Sequence, residues 1–201
     1  MLGLLTRVKI CSMVQNKPKL IHLNGPAGIG KDTIAQKYID AHPFTLCIRT
    51  DDIITALGQW STSQNYDPAR HLAFNLAISM ASTHLKAGYD VIVPHLLTDL
   101  EEAQRLEEVA KNFAVPFIEI LLSTTKADAL DRIFERGTRG EPGAPPLTAD
   151  DRDEFEDLYD NVLLATSRRA NVYKISSIKG DIDGTYQKVI DAIDSSLNLP
   201  T

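Results

Sequence analysis

Gly25-Pro26-Ala27-Gly28-Ile29-Gly30-Lys31-Asp32-Thr33 limits what this chain can fold into more than any other stretch. A glycine, four residues, then Gly-Lys is the Walker A spacing. The apolar run Leu20-Ile21-His22-Leu23 precedes it, and Ile34, Ala35, Tyr38 and Ile39 follow at helical spacing. In a strand–loop–helix context, successive backbone N–H groups turn inward toward a phosphate and the helix adds its positive end. Gly25, Ala27, Gly28, Ile29 and Gly30 form that cradle, and Lys31 reaches the outer phosphates as a point charge. The alternative is a plain strand–helix turn carrying a surface lysine.

The rest of the chain alternates in the same way. Phe44 to Arg49, Tyr89 to Val93, Phe117 to Leu122 and Val172 to Ile175 read as further strands. Helices are predicted over residues 31–41, then from Asp67 (N-cap, with Pro68 at the first helical position) to Gly88. Thr98 to Glu101 has a capping-box pattern, opening a helix lined by Leu100, Ala103, Leu106, Val109, Ala110 and Phe113. Another helix covers about 126–136, one starts at Thr148 with Asp151, and the last covers about 184–197. The Pro/Gly-rich stretch 137–147 reads as a loop. Such alternation predicts an α/β fold with a five-stranded parallel sheet, helices on both faces and a small lid, with ligands beyond the carboxyl ends of the strands. One domain is expected over 18–199, its lid at about 126–150, after a poorly ordered leader, residues 1–17. Met13 is an alternative start.

Composition narrows the partners. A net charge of −6 argues against a broad nucleic-acid surface, so a phosphate site must rest on local features. No run approaches the roughly 18 apolar residues of a membrane span. Arg7 and Lys9 interrupt the apolar start, which excludes a signal peptide. Cys11 and Cys47 are too few for a disulfide framework or a Cys-rich zinc site; they fit structural residues in a reducing, cytoplasmic setting.

Several residues carry candidate chemistry. Asp32 stands where a hydroxyl residue usually follows the loop lysine; it either holds Mg²⁺, directly or through water, or only favours the helix dipole. Thr33 is expected on a phosphate. Asp51 and Asp52 follow strand two: Asp51 is expected to take the proton of an attacking hydroxyl, and Asp52 to cap the next helix or assist the metal. The alternative is that both only cap that helix. Arg132, Arg136 and Arg139 flank a helix end and the loop, with Arg132 and Arg136 on one face. Guanidinium groups there suit phosphate and transition-state charge, and a closing loop would exclude water. Otherwise they are surface arginines paired with Asp128, Asp131 or Glu135. His95 either touches the acceptor or is hydrogen-bonded structure. His71 and His84 lie about 220° apart around one helix, so they do not pair on a metal. Trp60 and Tyr66, in the polar segment 58–67, either line an acceptor pocket or anchor a loop. The acidic stretch 150–157 fits a solvated helix start.

Gly25 to Thr33, Thr50-Asp51-Asp52-Ile53 and Leu130-Asp131-Arg132-Ile133-Phe134-Glu135-Arg136-Gly137 together resemble the small P-loop kinases, a group that includes adenylate, shikimate and gluconate kinases. Within it the nearest likeness is to chloramphenicol phosphotransferase and zeta-toxin-like kinases. The resemblance covers about residues 18–195. It implies a P-loop NTPase three-layer sandwich with strand order 2-3-1-4-5, a lid after strand four, and ATP with Mg²⁺ as donor. It further implies Asp51 as the acceptor-side aspartate and Arg132 and Arg136 as lid arginines. The glycine cluster of shikimate kinases is absent; Pro94-His95-Leu96-Leu97 stands there. The Asp-Gly-Phe/Tyr-Pro-Arg stretch of nucleoside monophosphate kinases is absent too. The acceptor expected is therefore a small hydroxylated molecule of unnamed identity. A nucleotide or nucleic-acid-end kinase, a nucleotide-binding hydrolase or regulator, and either a monomer or a homodimer all stay open.

Overall fold

The structure, a computed structural model, describes residues 17–62, 64–140 and 145–197. All but Lys17 of the expected leader, including Met13 and Cys11, lies outside the described residues. Five strands form one parallel sheet: β1 (Leu20–Asn24), β2 (Leu46–Cys47), β3 (Val91–Pro94), β4 (Phe117–Ser123) and β5 (Val172–Ser176), in the order β2-β3-β1-β4-β5. This is the order implied by the resemblance to small P-loop kinases. Seven helices accompany them: α1 (Lys31–Ala41), α2 (Thr50–Thr55), α3 (Tyr66–Lys86), α4 (Leu100–Asn112), α5 (Lys126–Arg136), α6 (Arg152–Ser167) and α7 (Ile182–Leu197).

Strand alternation sorts the side chains into two cores. Ile21 and Leu23 of β1, Ile92 of β3 and Ile118, Ile120 and Leu122 of β4 face α1 and α7, where Ile34, Tyr38, Val189 and Ile193 close over them. Leu20, Val91 and Val93 face the other way, onto Phe74, Ala77 and Ala81 of α3 and Ala103, Leu106 and Ala110 of α4. β1 sits in the middle, and all five of its residues are buried. His22, fully buried there, lies 3.6 Å from Glu119 of the neighbouring strand. Arg169 completes the group by pairing with Glu119 and, at 3.0 Å, with Glu107. Such a buried carboxylate is tolerated because the Arg169 guanidinium meets it.

Several element boundaries differ from expectation. β2 is two residues long, because Thr45 donates its backbone N–H to His42 and Phe44 adopts φ 67 in that turn. Helix α3 begins at Tyr66, one residue before the expected N-cap Asp67. Pro68 is accommodated within the first turn, where backbone N–H groups have no intrahelical partner. Asp99, not Thr98, caps α4 by accepting from Glu101 N. Thr148 and Asp151 do form a reciprocal capping box, but around a short 3₁₀ turn, Ala149–Asp151, that leads into α6. The segment expected as a lid has two parts. Helix α5 packs Leu130 and Ile133 against Phe155, while 137–140 and 145–148 flank residues 141–144, which lie outside the described residues.

The loop between β1 and α1 is wedged against these elements. A Cβ on Gly25, whose φ is 150°, would stand 2.6 Å from the Leu122 carbonyl oxygen. At Gly30, φ 98°, a Cβ would meet no heavy atom within 4 Å. Gly25→Ala is therefore expected to lose roughly 2–4 kcal/mol from overpacking plus backbone strain, and Gly30→Ala about 1–2 kcal/mol from left-handed strain alone. Denaturant unfolding of both variants measures this, and equal losses would refute the close approach at Gly25.

Candidate functional site

The glycine loop leaves β1 through a buried clamp. The Asn24 side-chain oxygen accepts from Gly25 N (2.8 Å) and from Leu97 N (3.1 Å), so one residue fixes both the start of the loop and the segment after β3. Gly28 presses against α5: a Cβ there would lie 3.0 Å from Ile133 N. Gly30 caps α1 in the left-handed region, which aims the first turn of α1 back at the loop. Lys31 donates to the carbonyls of Gly25 (2.8 Å) and Pro26 (3.0 Å). Burial pushes its ammonium down to about 8, although Asp32 and Asp51 pull the other way.

Above this loop opens a cavity of about 370 Å³. Its floor is Ala27, Gly28, Gly30, Lys31, Asp32 and Thr33. One wall carries Asp51 of α2, Tyr66 and Arg70 of α3, and Pro94, His95, Leu96 and Thr98 after β3. The opposite wall carries Arg132 and Arg136 of α5, Arg139, and Glu154, Phe155 and Leu158 of α6. A smaller cavity of about 170 Å³ lies behind Gly28–Thr33, between the start of α1 and the β5–α7 connection, Ser177 to Ile182. Arg132 and Thr33 border both spaces.

The sequence-predicted residues fall into three groups. Loop, Lys31, Asp32, Thr33, Asp51 and the three arginines share one cavity, 108 positions apart at the extremes of Lys31 and Arg139. Asp52 does not reach it. Its side chain is 66 % exposed and faces Arg49 at 3.9 Å. Nor does Asp52 cap α2: Arg49 occupies that position, and both aspartates sit in the first turn, where their charge favours the helix. Asp32 is likewise in the first turn of α1, 3.7 Å from Arg49, while still bordering the cavity.

The arginines are not paired with Asp128, Asp131 or Glu135. Arg132 donates to Ser177 Oγ (3.1 Å) and Ser177 O (2.9 Å). Ser177 in turn donates to Ile29 O at 3.0 Å, so the β5–α7 connection is tied to the phosphate loop. Arg136 donates to the carbonyls of Thr138 and Arg139. Arg139 lies over the Phe155 ring and grips Glu154 and Asp151, which hold its guanidinium above its ordinary range. The acidic stretch at the start of α6 is therefore more than a solvated helix start. Its Asp151 and Glu154 fasten the loop to the helix.

His95 has both a cavity-facing and a structural role. Its ring shares a hydrogen bond with Thr50 Oγ1 at 2.7 Å, lies 3.7 Å from Glu102 and stacks on Phe74. Burial lowers its pKa, against the pull of Glu102. Because Thr50 opens α2, His95 also steadies the turn that bears Asp51. His71 and His84 bond to backbone carbonyls of Asp67 and Phe44 and stay outside the cavity. Tyr66 borders the cavity and Trp60 packs beside it, ring centroids 6.4 Å apart. Asn24, Arg70, Thr98 and Ser177 were missed by sequence reasoning. Only Arg70 left a signal, four positions after Tyr66 and so on the same helical face. Among the described residues, no helix is long and apolar enough to cross a membrane.

Lys31 gives the site a pH signature. Its unfolded pKa is near 10.5 and its folded value about 8, so between these the unfolded chain holds more protons and this group's contribution to stability rises with pH. A polyanion prefers the charged lysine. Binding of a nucleoside triphosphate should thus take up about one proton at pH 9 and almost none at pH 7, with affinity falling about tenfold per pH unit above 8. Calorimetry in buffers of different ionisation enthalpy reads this; no uptake in the unaltered protein, or unchanged uptake in Lys31→Ala, would refute it.

Comparison with known proteins follows the same geometry. No curated protein matches the chain in sequence. Among solved structures, the chain is similar to the tunicamycin resistance protein of Deinococcus radiodurans (TM-score 0.58, 19 % identity, 92 % of this chain and 98 % of that one). It is also similar to a gluconokinase of Sinorhizobium meliloti 1021 (0.56, 13 %, 90 % and 94 %). An APS kinase of Mycobacterium tuberculosis is a third such structure (0.53, 14 %, 89 % and 98 %). At these identities the likeness is one of fold: a P-loop NTPase-like α/β sandwich of small-kinase size. A family model described as AAA domain matches residues 20–155, which contain the phosphate loop, Asp51 and the arginines of α5. By that match over more than half of its length, the chain belongs to the AAA domain family.

Proposed function

We propose that this protein is an ATP-dependent phosphotransferase that moves the γ-phosphoryl group onto a hydroxyl of a small molecule. One observation carries the reading: a carboxylate, Asp51, borders the same cavity as the loop lysine, close enough for its charge to act on Lys31. A carboxylate there can accept the proton of an attacking hydroxyl. The loop amides and Lys31 hold the β- and γ-phosphates, and the smaller cavity behind Arg132 takes the base. The acceptor oxygen bonds to the γ-phosphorus as the bond to the β-phosphate oxygen breaks, and its proton passes to Asp51. Arg132 and Arg136 balance charge on the transferring group, and Arg139 helps bind the nucleotide.

Among the described residues no cluster of three or more His, Cys, Asp or Glu could hold a metal ion. Mg²⁺ keeps several waters and phosphate oxygens and needs only one or two protein oxygens. Asp32 and Thr33 at the start of α1 are the residues that would supply them. When bound, the ion would neutralise phosphate charge as the leaving group departs.

Turnover of ATP across hydroxylated metabolites, nucleoside monophosphates and antibiotic-like acceptors tests the proposal. Acceptor-stimulated release of ADP is expected, lost at least about a hundredfold in Asp51→Asn with nucleotide affinity kept within about threefold. Lys31→Ala is expected to lose both. Turnover that no acceptor stimulates and that ignores Asp51 would instead identify a hydrolase or regulator.

A further inference from the structure

The cations around the larger cavity are not equivalent. Lys31, Arg132, Arg136 and Arg139 each hold protein partners: loop carbonyls, Ser177, the carbonyls of 138 and 139, and the Asp151–Glu154 pair. Arg70 is different. It stands on the acceptor wall with Asp51, Tyr66, His95 and Thr98, and among the described residues no carboxylate lies within ion-pair distance of its guanidinium. Glu102, whose ionisation it influences, faces His95 at 3.7 Å. Arg132 and Arg136 also meet no carboxylate, but protein hydrogen bonds hold them, whereas among the described residues nothing within hydrogen-bond or ion-pair distance holds the exposed Arg70.

We propose that the acceptor carries an oxyanion, a carboxylate, phosphate or sulfate, which Arg70 binds while the hydroxyl to be phosphorylated faces Asp51. The proposal rests on the phosphotransferase function above and names its substrate class. A guanidinium presents a planar fork of donors matched to such groups. It also offsets the repulsion an anionic acceptor would meet from Asp51. Thr98 adds a hydroxyl partner for a polyhydroxy body. A cavity of about 370 Å³ shared with a triphosphate tail restricts that acceptor to a small molecule.

The test uses acceptors in matched pairs that differ only in charge: sugar acids or hydroxy acids against their alditols or amides, and sugar phosphates against the free sugars. ADP release is measured with the unaltered protein, Arg70→Gln, Arg70→Lys and Asp51→Asn. The expected result is stimulation by the charged members, with the carboxylate and phosphate arms showing which oxyanion is preferred. Arg70→Gln should raise KM for that acceptor roughly 10- to 100-fold with kcat changed far less, and Arg70→Lys should recover part of it. Equal stimulation by the neutral partners, or an unchanged KM in Arg70→Gln, would overturn the proposal and leave the phosphotransferase function standing. Silence of every acceptor, with turnover indifferent to Asp51, would remove that function and the proposal with it. The matched-pair comparison needs only the unaltered protein, so a poorly folding variant does not blunt it.

Discussion

Two close backbone approaches govern this molecule. Gly25 lies against the Leu122 carbonyl, where a Cβ would collide at 2.6 Å, and Gly28 against the backbone of Ile133, where a Cβ at 3.0 Å would be tight. They seat the phosphate loop between the end of β4 and the middle of α5. Everything functional is referred to that seat. Lys31 turns back over the loop because the loop curls around it, and the close approach at Gly28 lets α5 lie where Arg132 reaches Ser177. Ser177 in turn donates to Ile29 O, so hydrogen bonds through Ser177 tie α5 and the β5–α7 connection to the loop.

Around that seat the charges are arranged by burial as much as by proximity. Lys31 is desolvated, which lowers its affinity for a proton and strengthens its pull on a phosphate when charged. Arg139 is paired with Asp151 and Glu154, so its first task is to hold the end of the 137–140 stretch onto the start of α6. Arg132 and Arg136 are held instead by Ser177 and by backbone carbonyls. Among the described residues Arg70 has no contact of either kind, so protein partners distinguish the arginines of one cavity.

Residue patterns exposed much of this in advance. The strand–loop–helix unit at 20–41 was legible because a glycine spacing, an apolar run and a helical period agree there. The helix with Arg132 and Arg136 was legible from Thr125 to Gly137, a cap at each end. The second strand was not: Phe44 and Thr45 have strand-forming side chains, yet a turn at His42 claims them and leaves an edge strand of two residues. Asp52 was misplaced because adjacent aspartates in a first helical turn point in different directions, and only one can face the cavity. Asn24 was invisible, since its value lies in two N–H groups, one of them 73 positions away.

By itself the sequence determined the layered α/β architecture, the phosphate loop and the residue types available for phosphoryl transfer. These depend on periodicity and on glycine conformational freedom, both properties of short segments. Tertiary structure alone decided which side chains converge. It brought Asp51 and Lys31 to one cavity, turned Asp52 out to solvent, bound Arg139 to the start of α6 and set Arg70 in the lining of the same cavity as Asp51. Convergence depends on how strands stack and helices pack across long sequence separations, and no local pattern carries that information.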